Sequence, residues 1–293
     1  MPRPSRTTRL RLLLSTLLLL AVPLGAACSR SGADDRGDRE VASPTTAATP
    51  SPTAVPWQTI DGPLARCGPQ PPEVTAARWH YRVLRDRAVG AVPSALAGSG
   101  RTVAVLLHQT DGGGLCGWLP YARQLADAGV AALVVDLCRY GASACRGVSD
   151  GRFTDADQTE PVRVAVEHAR RELGARRVVV VGASMGGSVA LMSGAVLDGV
   201  SAVADLSGPV DWPGIEVAHG GRALRVPALV AMAEQEGPDD VARARAIVRR
   251  APAGSRLVVP DDGHGYELLH DYDGVPLPFG KELLAWIRRG PNP

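Results

Sequence analysis

The chain has 293 residues, of which 32 are basic and 30 acidic, for a formal charge of +2. Nucleic-acid binders oppose phosphates with a basic face, so this even balance argues against a nucleic-acid partner. With 45% hydrophobic residues the chain can bury a full core, which excludes a protein that is disordered throughout.

The N-terminus has the pattern of a bacterial secretory signal. Four arginines precede an apolar run from Leu12 to Leu20, and small residues at 25–27 precede Cys28. A membrane-spanning anchor, the alternative, would need about 20 apolar residues, and this run meets Pro23 too early. Cys28 resembles the acylated cysteine of lipoproteins, although Leu24 lies four residues before it where that family has Leu at three. We expect residues 1–27 to be a signal peptide and Cys28 to be lipidated; ordinary cleavage before Cys28 is the alternative.

Residues 28–56 are rich in Ser, Thr, Ala, Pro and Gly. Such a segment cannot bury enough apolar area to offset its chain entropy, so we expect a disordered tether. Behind a lipid on Cys28, the tether would hold the folded domain, residues 57–293, off the outer face of the cytoplasmic membrane.

Export would place the other four cysteines, Cys67, Cys116, Cys138 and Cys145, in an oxidising compartment. Four cysteines allow three pairings, of which we favour Cys138 with Cys145 and Cys67 with Cys116. Unpaired small hydrophobic residues are the alternative. No CxxC or His-rich spacing indicates a metal site, and we expect no metal.

Apolar runs alternate with helical patterns from about Glu73 onward. Residues 79–83 alternate apolar and polar side chains, which predicts a half-exposed edge strand. Continuous apolar runs predict strands buried on both faces. Helical spacing from Val162 to Leu173 predicts a helix between two of them. The alternation predicts an α/β fold, with a mostly parallel sheet covered by helices on both faces. The buried runs are Thr102–Leu107, Ala131–Val135, Val178–Val181, Ala202–Leu206, Ala228–Met232 and Leu257–Val259.

One of these strand ends carries a G-x-S-x-G motif, Gly182-Ala183-Ser184-Met185-Gly186, followed by a helical pattern. The serine of this motif sits on a sharp turn, where side chains at 182 and 186 would clash with the neighbouring strand and helix. A glycine-rich phosphate turn, the alternative, would carry a Lys or a G-x-G-x-x-G pattern, and neither is present. Ser184 is therefore the candidate nucleophile.

A serine nucleophile needs a base, and His264 in Asp261-Asp262-Gly263-His264-Gly265 follows the last predicted strand. A plain loop histidine is the alternative for His264. The other histidines, at 80, 108, 168, 219 and 270, are interpreted as structural or solvated.

This combination of motifs resembles the α/β-hydrolase family over residues 73–289. The order of Ser184, an acid and then His264 is that of the family. The stretch from Asp136 to Ser143 is similar to a structural loop of the family, and it retains Asp136, Gly141 and Ser143. The connection from Val210 to Val226 is too short for a large cap domain. The resemblance implies an open, apolar, shallow pocket like that of dienelactone hydrolases and small esterases.

The resemblance also assigns the remaining site residues. The oxyanion hole would use the N–H of Met185 and a backbone N–H near Gln109 or Thr110, with His108 organising that loop. Glu236 matches the place where similar family members carry Asp before Gly-Pro, and we expect it to be the acid that orients His264. Asp239 and Glu234 are the alternatives; Asp239 and Asp240 fall in a first helical turn that begins at Pro238, where negative charge favours the helix dipole.

The predicted function is that of an exported serine hydrolase acting on an ester-like bond of a small acyl substrate, with no cofactor. A noncatalytic surface-binding protein on the same scaffold, and a peptidase or amidase, are the alternatives.

Overall fold

A computed structural model describes residues 56–111, 113–146, 155–209, 222–271 and 274–290. The predicted signal peptide, Cys28, nearly all of the tether, and His219 with most of the connection at 210–226 lie outside the described residues. Within the described part, no helix is long and apolar enough to cross a membrane.

Eleven strands are found among the described residues. They are β1 (Gln58–Thr59), β2 (Pro69–Gln70), β3 (Trp79–Asp86), β4 (Gly90–Ala97), β5 (Thr102–Leu107), β6 (Ala131–Val135), β7 (Ala144–Cys145), β8 (Arg177–Ala183), β9 (Ala202–Leu206), β10 (Ala228–Ala231) and β11 (Arg256–Val258).

Six α-helices accompany these strands in the same ranges. They are α1 (Pro72–Thr75), α2 (Leu119–Asp127), α3 (Thr159–Arg171), α4 (Met185–Val196), α5 (Pro238–Arg250) and α6 (Pro278–Arg289). Short 3-10 helices cover Gly62–Cys67, Gly114–Trp118, Asp155–Gln158, Glu234–Glu236 and Gly265–Leu268.

The central sheet has the strand order β11-β10-β9-β8-β5-β6-β4-β3, and β7 pairs with β4. The six strands from β11 to β6 are mutually parallel, whereas β4 runs antiparallel to both β6 and β3. A mostly parallel sheet is therefore confirmed, and the predicted edge strand at residues 79–83 does form an edge, as β3.

Helices cover both faces of this sheet. Along β5, Val103, Val105 and Leu107 pack into a core with helices α3, α4 and α5, whereas Ala104 and Leu106 face helices α2 and α6. Successive side chains of a strand point to opposite faces of the sheet. Because helices cover both faces, all five side chains are fully buried. Burial on both faces explains the continuous apolar runs of β6, β9 and β10. The run at Leu257–Val259, also predicted to be buried on both faces, instead forms the edge strand β11 and is only half-buried.

Strand β4 is absent from the sequence prediction because Pro93 and several small residues obscure its pattern. The Pro93 carbonyl accepts the Asp136 N–H on the side of β6. A residue's N–H and C=O point to the same side of a strand, so the N–H that Pro93 lacks would also lie there. Strand β6 ends at Val135, which pairs with Ser94, so proline removes only the bond to the Asp136 carbonyl at the end of this ladder.

The described residues contain two disulfides, Cys67–Cys116 and Cys138–Cys145, which are the pairings favoured from the sequence. Disulfides of this kind are typical of proteins in an oxidising compartment.

The buried Asp136, after β6, connects the segments around the Cys67–Cys116 disulfide. Its carboxylate accepts hydrogen bonds from the Leu115 and Ala142 N–H groups at 2.8 Å and pairs with the Arg66 guanidinium at 2.8 Å. Gly141 has no room for a Cβ beside this carboxylate, which explains the glycine in the family-like loop.

Candidate active site

Ser184 lies between β8 and α4 in a conformation that is rare for a residue with a side chain, with φ of 50° and ψ of −121°. Its N–H donates to the Leu206 carbonyl of β9 at 2.8 Å, which fixes the turn to the neighbouring strand. Such a strained residue persists only where its surroundings hold it, and it presents the partly exposed Ser184 side chain at the carboxyl edge of the sheet.

The two motif glycines leave room for this turn. A Cβ at Gly182 would collide with the backbone of Gly186 in α4, and a Cβ at Gly186 would collide with the carbonyls of Leu107 and His108. The turn is therefore packed against helix α4 on one side and against the end of β5 on the other.

His264 is hydrogen-bonded to the acid that the sequence proposed for it. The distance between His264 Nδ1 and Glu236 Oε1 is 2.6 Å, with 40% of the histidine side chain and 22% of the glutamate side chain exposed. A carboxylate can only accept, so Nδ1 carries a proton, and in the neutral ring the lone pair is then on Nε2. This tautomer is the one a serine-activating histidine needs.

Backbone contacts between parallel strands bring these two residues together. Glu236 follows β10 and His264 follows β11, and the Glu234 N–H donates to the Pro260 carbonyl at 2.8 Å. A Cβ built at Gly265 would lie 3.3 Å from Ala183 Cβ, so the histidine loop lies against the end of β8, next to Ser184.

The alternative acids lie elsewhere. Glu234 and Asp239 are exposed, and neither forms a hydrogen bond to His264 among the described residues. Asp239 is in the first turn of α5, which begins at Pro238 as the sequence predicted.

His108 is a buried, neutral link within the loop after β5. Its Nε2 accepts the Leu137 N–H at 3.0 Å, so its Nδ1 carries the proton and donates to the Gln109 carbonyl at 2.7 Å. Desolvation by burial lowers the pKa of His108, which keeps the ring uncharged.

The backbone donors suggested for the oxyanion hole differ in whether their N–H groups are already hydrogen-bonded. The Gln109 N–H donates to the Tyr266 hydroxyl at 3.2 Å and is therefore occupied. The N–H groups of Thr110 and Met185 take part in no hydrogen bond among the described residues. Thr110 and Met185 thus keep free donors in the loop after β5 and at the first turn of α4.

Sequence reasoning missed two buried polar residues beside this site. One is Tyr266, two residues after His264, whose contact with Gln109 spans 157 positions and leaves no local pattern. The other is Asp205, which the sequence analysis included in the apolar run of β9. An acid inside a predicted buried strand could have indicated a special role, because such a charge is rarely buried without a partner.

The Asp205 carboxyl is fully buried beside the first turn of α4. Its Oδ1 accepts the Gly208 N–H at 2.7 Å, and its Oδ2 has no hydrogen-bond partner in the described segments. Gly187 of α4 has no room for a Cβ beside this carboxyl. Desolvation raises the pKa of Asp205 to about 7.

A cavity of about 480 Å³ also borders the histidine loop. Its lining includes Trp57, Pro71, Tyr266, His270 and Leu277, and neither Ser184 nor His264 is part of it. It is therefore not the space in which a substrate would meet the serine.

Comparison with solved structures finds similar folds at low sequence identity. An esterase from Pyrococcus furiosus gives a TM-score of 0.56 at 12% identity and covers 77% of this chain and 98% of its own. A dienelactone hydrolase from Anabaena variabilis gives a TM-score of 0.53 at 18% identity, and the match covers 72% of this chain and 97% of the hydrolase. A member of the α/β serine hydrolases without lid, from Xanthomonas campestris, gives a TM-score of 0.52 at 18% identity. That match covers 73% of this chain and 93% of the Xanthomonas protein.

No protein-family model and no curated protein sequence matches the chain. At these identities the structural likeness establishes the fold. The sheet order, the turn at Ser184 and these neighbours together show that the chain has the α/β-hydrolase fold, with no large cap domain among its described residues.

Proposed function

We propose that this chain is a serine hydrolase that cleaves an ester-like bond through an acyl-enzyme. Ser184 Oγ attacks the acyl carbon while His264 Nε2 takes the serine proton and then returns it to the leaving group. Water, activated by the same nitrogen, releases the acyl group. The observation that carries this proposal is the 2.6 Å hydrogen bond between His264 Nδ1 and Glu236, because it leaves Nε2 free as the base.

The Met185 and Thr110 N–H groups are the proposed oxyanion donors. Both are unengaged among the described residues, and they lie on the two segments that pack against each other at Gly186. By mutagenesis precedent one such donor contributes about 3 to 4 kcal/mol to transition-state stabilisation. Gln109, whose N–H is bound to Tyr266, is not proposed as a donor.

The proposed substrate is a small acyl ester. Two of the similar structures are of an esterase and a dienelactone hydrolase, which favours this chemistry over amide cleavage. All the groups in the proposed reaction are side chains and backbone amides of this chain, so the mechanism uses no cofactor.

The test compares wild type with Ser184→Ala in hydrolysis of p-nitrophenyl acetate and in labelling by a fluorophosphonate probe. Ser193→Ala is a matched control, because Ser193 is buried in α4, the helix that follows Ser184, and its hydroxyl donates to the Val189 carbonyl. We expect turnover and labelling in wild type and Ser193→Ala, and neither in folded Ser184→Ala.

Other outcomes would reject the ester-hydrolase proposal. Turnover retained in Ser184→Ala would exclude the serine mechanism. Cleavage of an anilide with no ester turnover would indicate an amidase or peptidase, and folded wild type that neither turns over nor labels would indicate a binding protein.

We also propose that the protein is exported and anchored to the membrane by a lipid on Cys28. The two disulfides support a location outside the cytoplasm. Growth with a radiolabelled fatty acid should label wild type and not Cys28→Ala. An unlabelled wild type released into the medium would instead indicate ordinary signal cleavage.

A further inference from the structure

We propose that Tyr266 is a positioning residue for the oxyanion hole, because its hydroxyl holds the peptide that precedes the Thr110 donor. This inference rests on the proposed hydrolase function. It assigns to Tyr266 no contact with substrate; the residue acts through the backbone of Gln109.

Tyr266 is itself held rigidly. It is 8% exposed, and its ring makes an edge-to-face contact with the Trp118 ring at a centroid distance of 5.2 Å and an angle of 81°. Gly117 lies so close to the Tyr266 ring that a Cβ there would collide with it. The position of the hydroxyl is therefore set by packing, before any substrate binds.

The Gln109 backbone is held on both sides. Its N–H donates to Tyr266 at 3.2 Å, and its carbonyl accepts from His108 Nδ1 at 2.7 Å. In a trans peptide the carbonyl and the following N–H point in opposite directions. The Thr110 N–H therefore points away from His108, and Tyr266 and His108 together restrict rotation of both peptide groups around Gln109.

The same contact joins two parts of the proposed mechanism. Tyr266 lies two residues after His264, on the 3-10 helix Gly265–Leu268, whereas Gln109 follows β5. Burial raises the pKa of Tyr266, so the hydroxyl stays neutral while it accepts the Gln109 N–H. Oxyanion donors are effective when they are fixed before the reaction, and this hydrogen bond fixes the donor loop relative to the base.

The first test is Tyr266→Phe, which keeps the packed ring and removes only the hydroxyl. We expect kcat for p-nitrophenyl acetate to fall about 10- to 100-fold, less than for outright loss of an oxyanion donor, while KM changes by less than about threefold. The affinity for an alkyl boronic acid, which mimics the tetrahedral intermediate, should fall by the same factor as kcat/KM.

Tyr121→Phe is the matched control. Tyr121 is likewise buried, and its hydroxyl donates to the Gly280 carbonyl of helix α6 at 3.0 Å. Its loss should lower stability and leave kcat and boronate affinity unchanged. If both variants lost kcat equally, the effect of Tyr266 would be a general loss of packing and the proposal would be wrong.

A readout that does not require activity separates this proposal from the proposed function. Amide hydrogen exchange at Gln109 should be faster in Tyr266→Phe than in wild type, because the N–H loses its acceptor. Unchanged exchange, or unchanged kcat and boronate affinity in an active, Ser184-dependent enzyme, overturns the inference and leaves the hydrolase function standing. An inactive wild type overturns the hydrolase function, and the exchange rates alone then decide whether Tyr266 holds the loop.

If Tyr266→Phe does not fold, 3-fluorotyrosine at position 266 is the second variant. It keeps the ring and the hydroxyl and makes the oxygen a weaker acceptor. Faster exchange at Gln109 would support the hydrogen bond, and exchange equal to wild type would overturn it.

Discussion

At the residue scale, the Glu236 carboxylate can do two things for His264: it fixes the protonated nitrogen as Nδ1, and it stabilises the cation formed when Nε2 takes a proton. Glu236→Gln keeps the size of the side chain and removes its charge. We expect kcat for ester hydrolysis to fall by about two to four orders of magnitude, with a much smaller change in KM.

Glu234→Gln and Asp239→Asn are the controls for Glu236→Gln. Both side chains are exposed and neither bonds to His264 in the described structure, so both variants should keep kcat within about twofold of wild type. A nearly active Glu236→Gln beside a crippled control would move the acid role to that control residue.

Sequence and structure differ in what they reveal about single residues. Ser184 can be located from the sequence because only glycine fits at 182 and 186, where a Cβ would collide with the backbone of the turn or with the end of β5. Glu236 can be proposed as the acid because it directly precedes Gly237 and Pro238, which mark the end of the loop after β10 and the start of helix α5. The choice between Gln109 and Thr110 depends on a hydroxyl 157 positions away, and no local pattern carries that information.

At the element scale, the Cys67–Cys116 disulfide joins two 3-10 helices, Gly62–Cys67 and Gly114–Trp118. The second of these helices carries Gly117 and Trp118, which pack on the Tyr266 ring. The disulfide therefore links the segment before the central sheet to the residues that pack on Tyr266.

The loop closed by this disulfide predicts its effect on stability. In the chain-entropy treatment, a cross-link over 49 positions raises the free energy of the unfolded chain by about 4 kcal/mol, and one over 7 positions raises it by about 2 kcal/mol. Urea unfolding should show a larger loss for Cys67→Ala/Cys116→Ala than for the control Cys138→Ala/Cys145→Ala. A Cys67→Ala/Cys116→Ala variant as stable as wild type would contradict this account.

The strands show which elements a sequence reveals. Strands β5, β6, β8, β9 and β10 are buried on both faces and stand out as apolar runs. Strand β4 escapes detection because Pro93 breaks its pattern, and the proline is tolerated where β6 ends, because there it costs only the last bond of the ladder. That tolerance depends on where a neighbouring strand stops, which is a property of the assembled sheet.

At the scale of the whole molecule, the sheet buries helices' apolar faces on both sides, and Asp205 places one carboxyl inside that core. Its pKa is raised from 3.8 to about 7 by burial, so the folded state holds this proton more tightly than the unfolded chain does. The unfolded state releases the proton first as pH rises. Stability from this group is therefore complete below about pH 4 and is lost progressively up to about pH 7.

The size of this effect sets the last prediction. A pKa difference of this size corresponds to about 4 kcal/mol of unfolding free energy over that interval. Asp205→Asn cannot ionise, so its stability relative to wild type should improve by about 3 kcal/mol between pH 5 and pH 8, as measured by urea unfolding at each pH. The exposed control Asp239→Asn should stay parallel to wild type within about 0.5 kcal/mol. If Asp205→Asn also runs parallel to wild type, the Asp205 carboxyl ionises as easily in the core as in the unfolded chain, and the raised pKa is wrong.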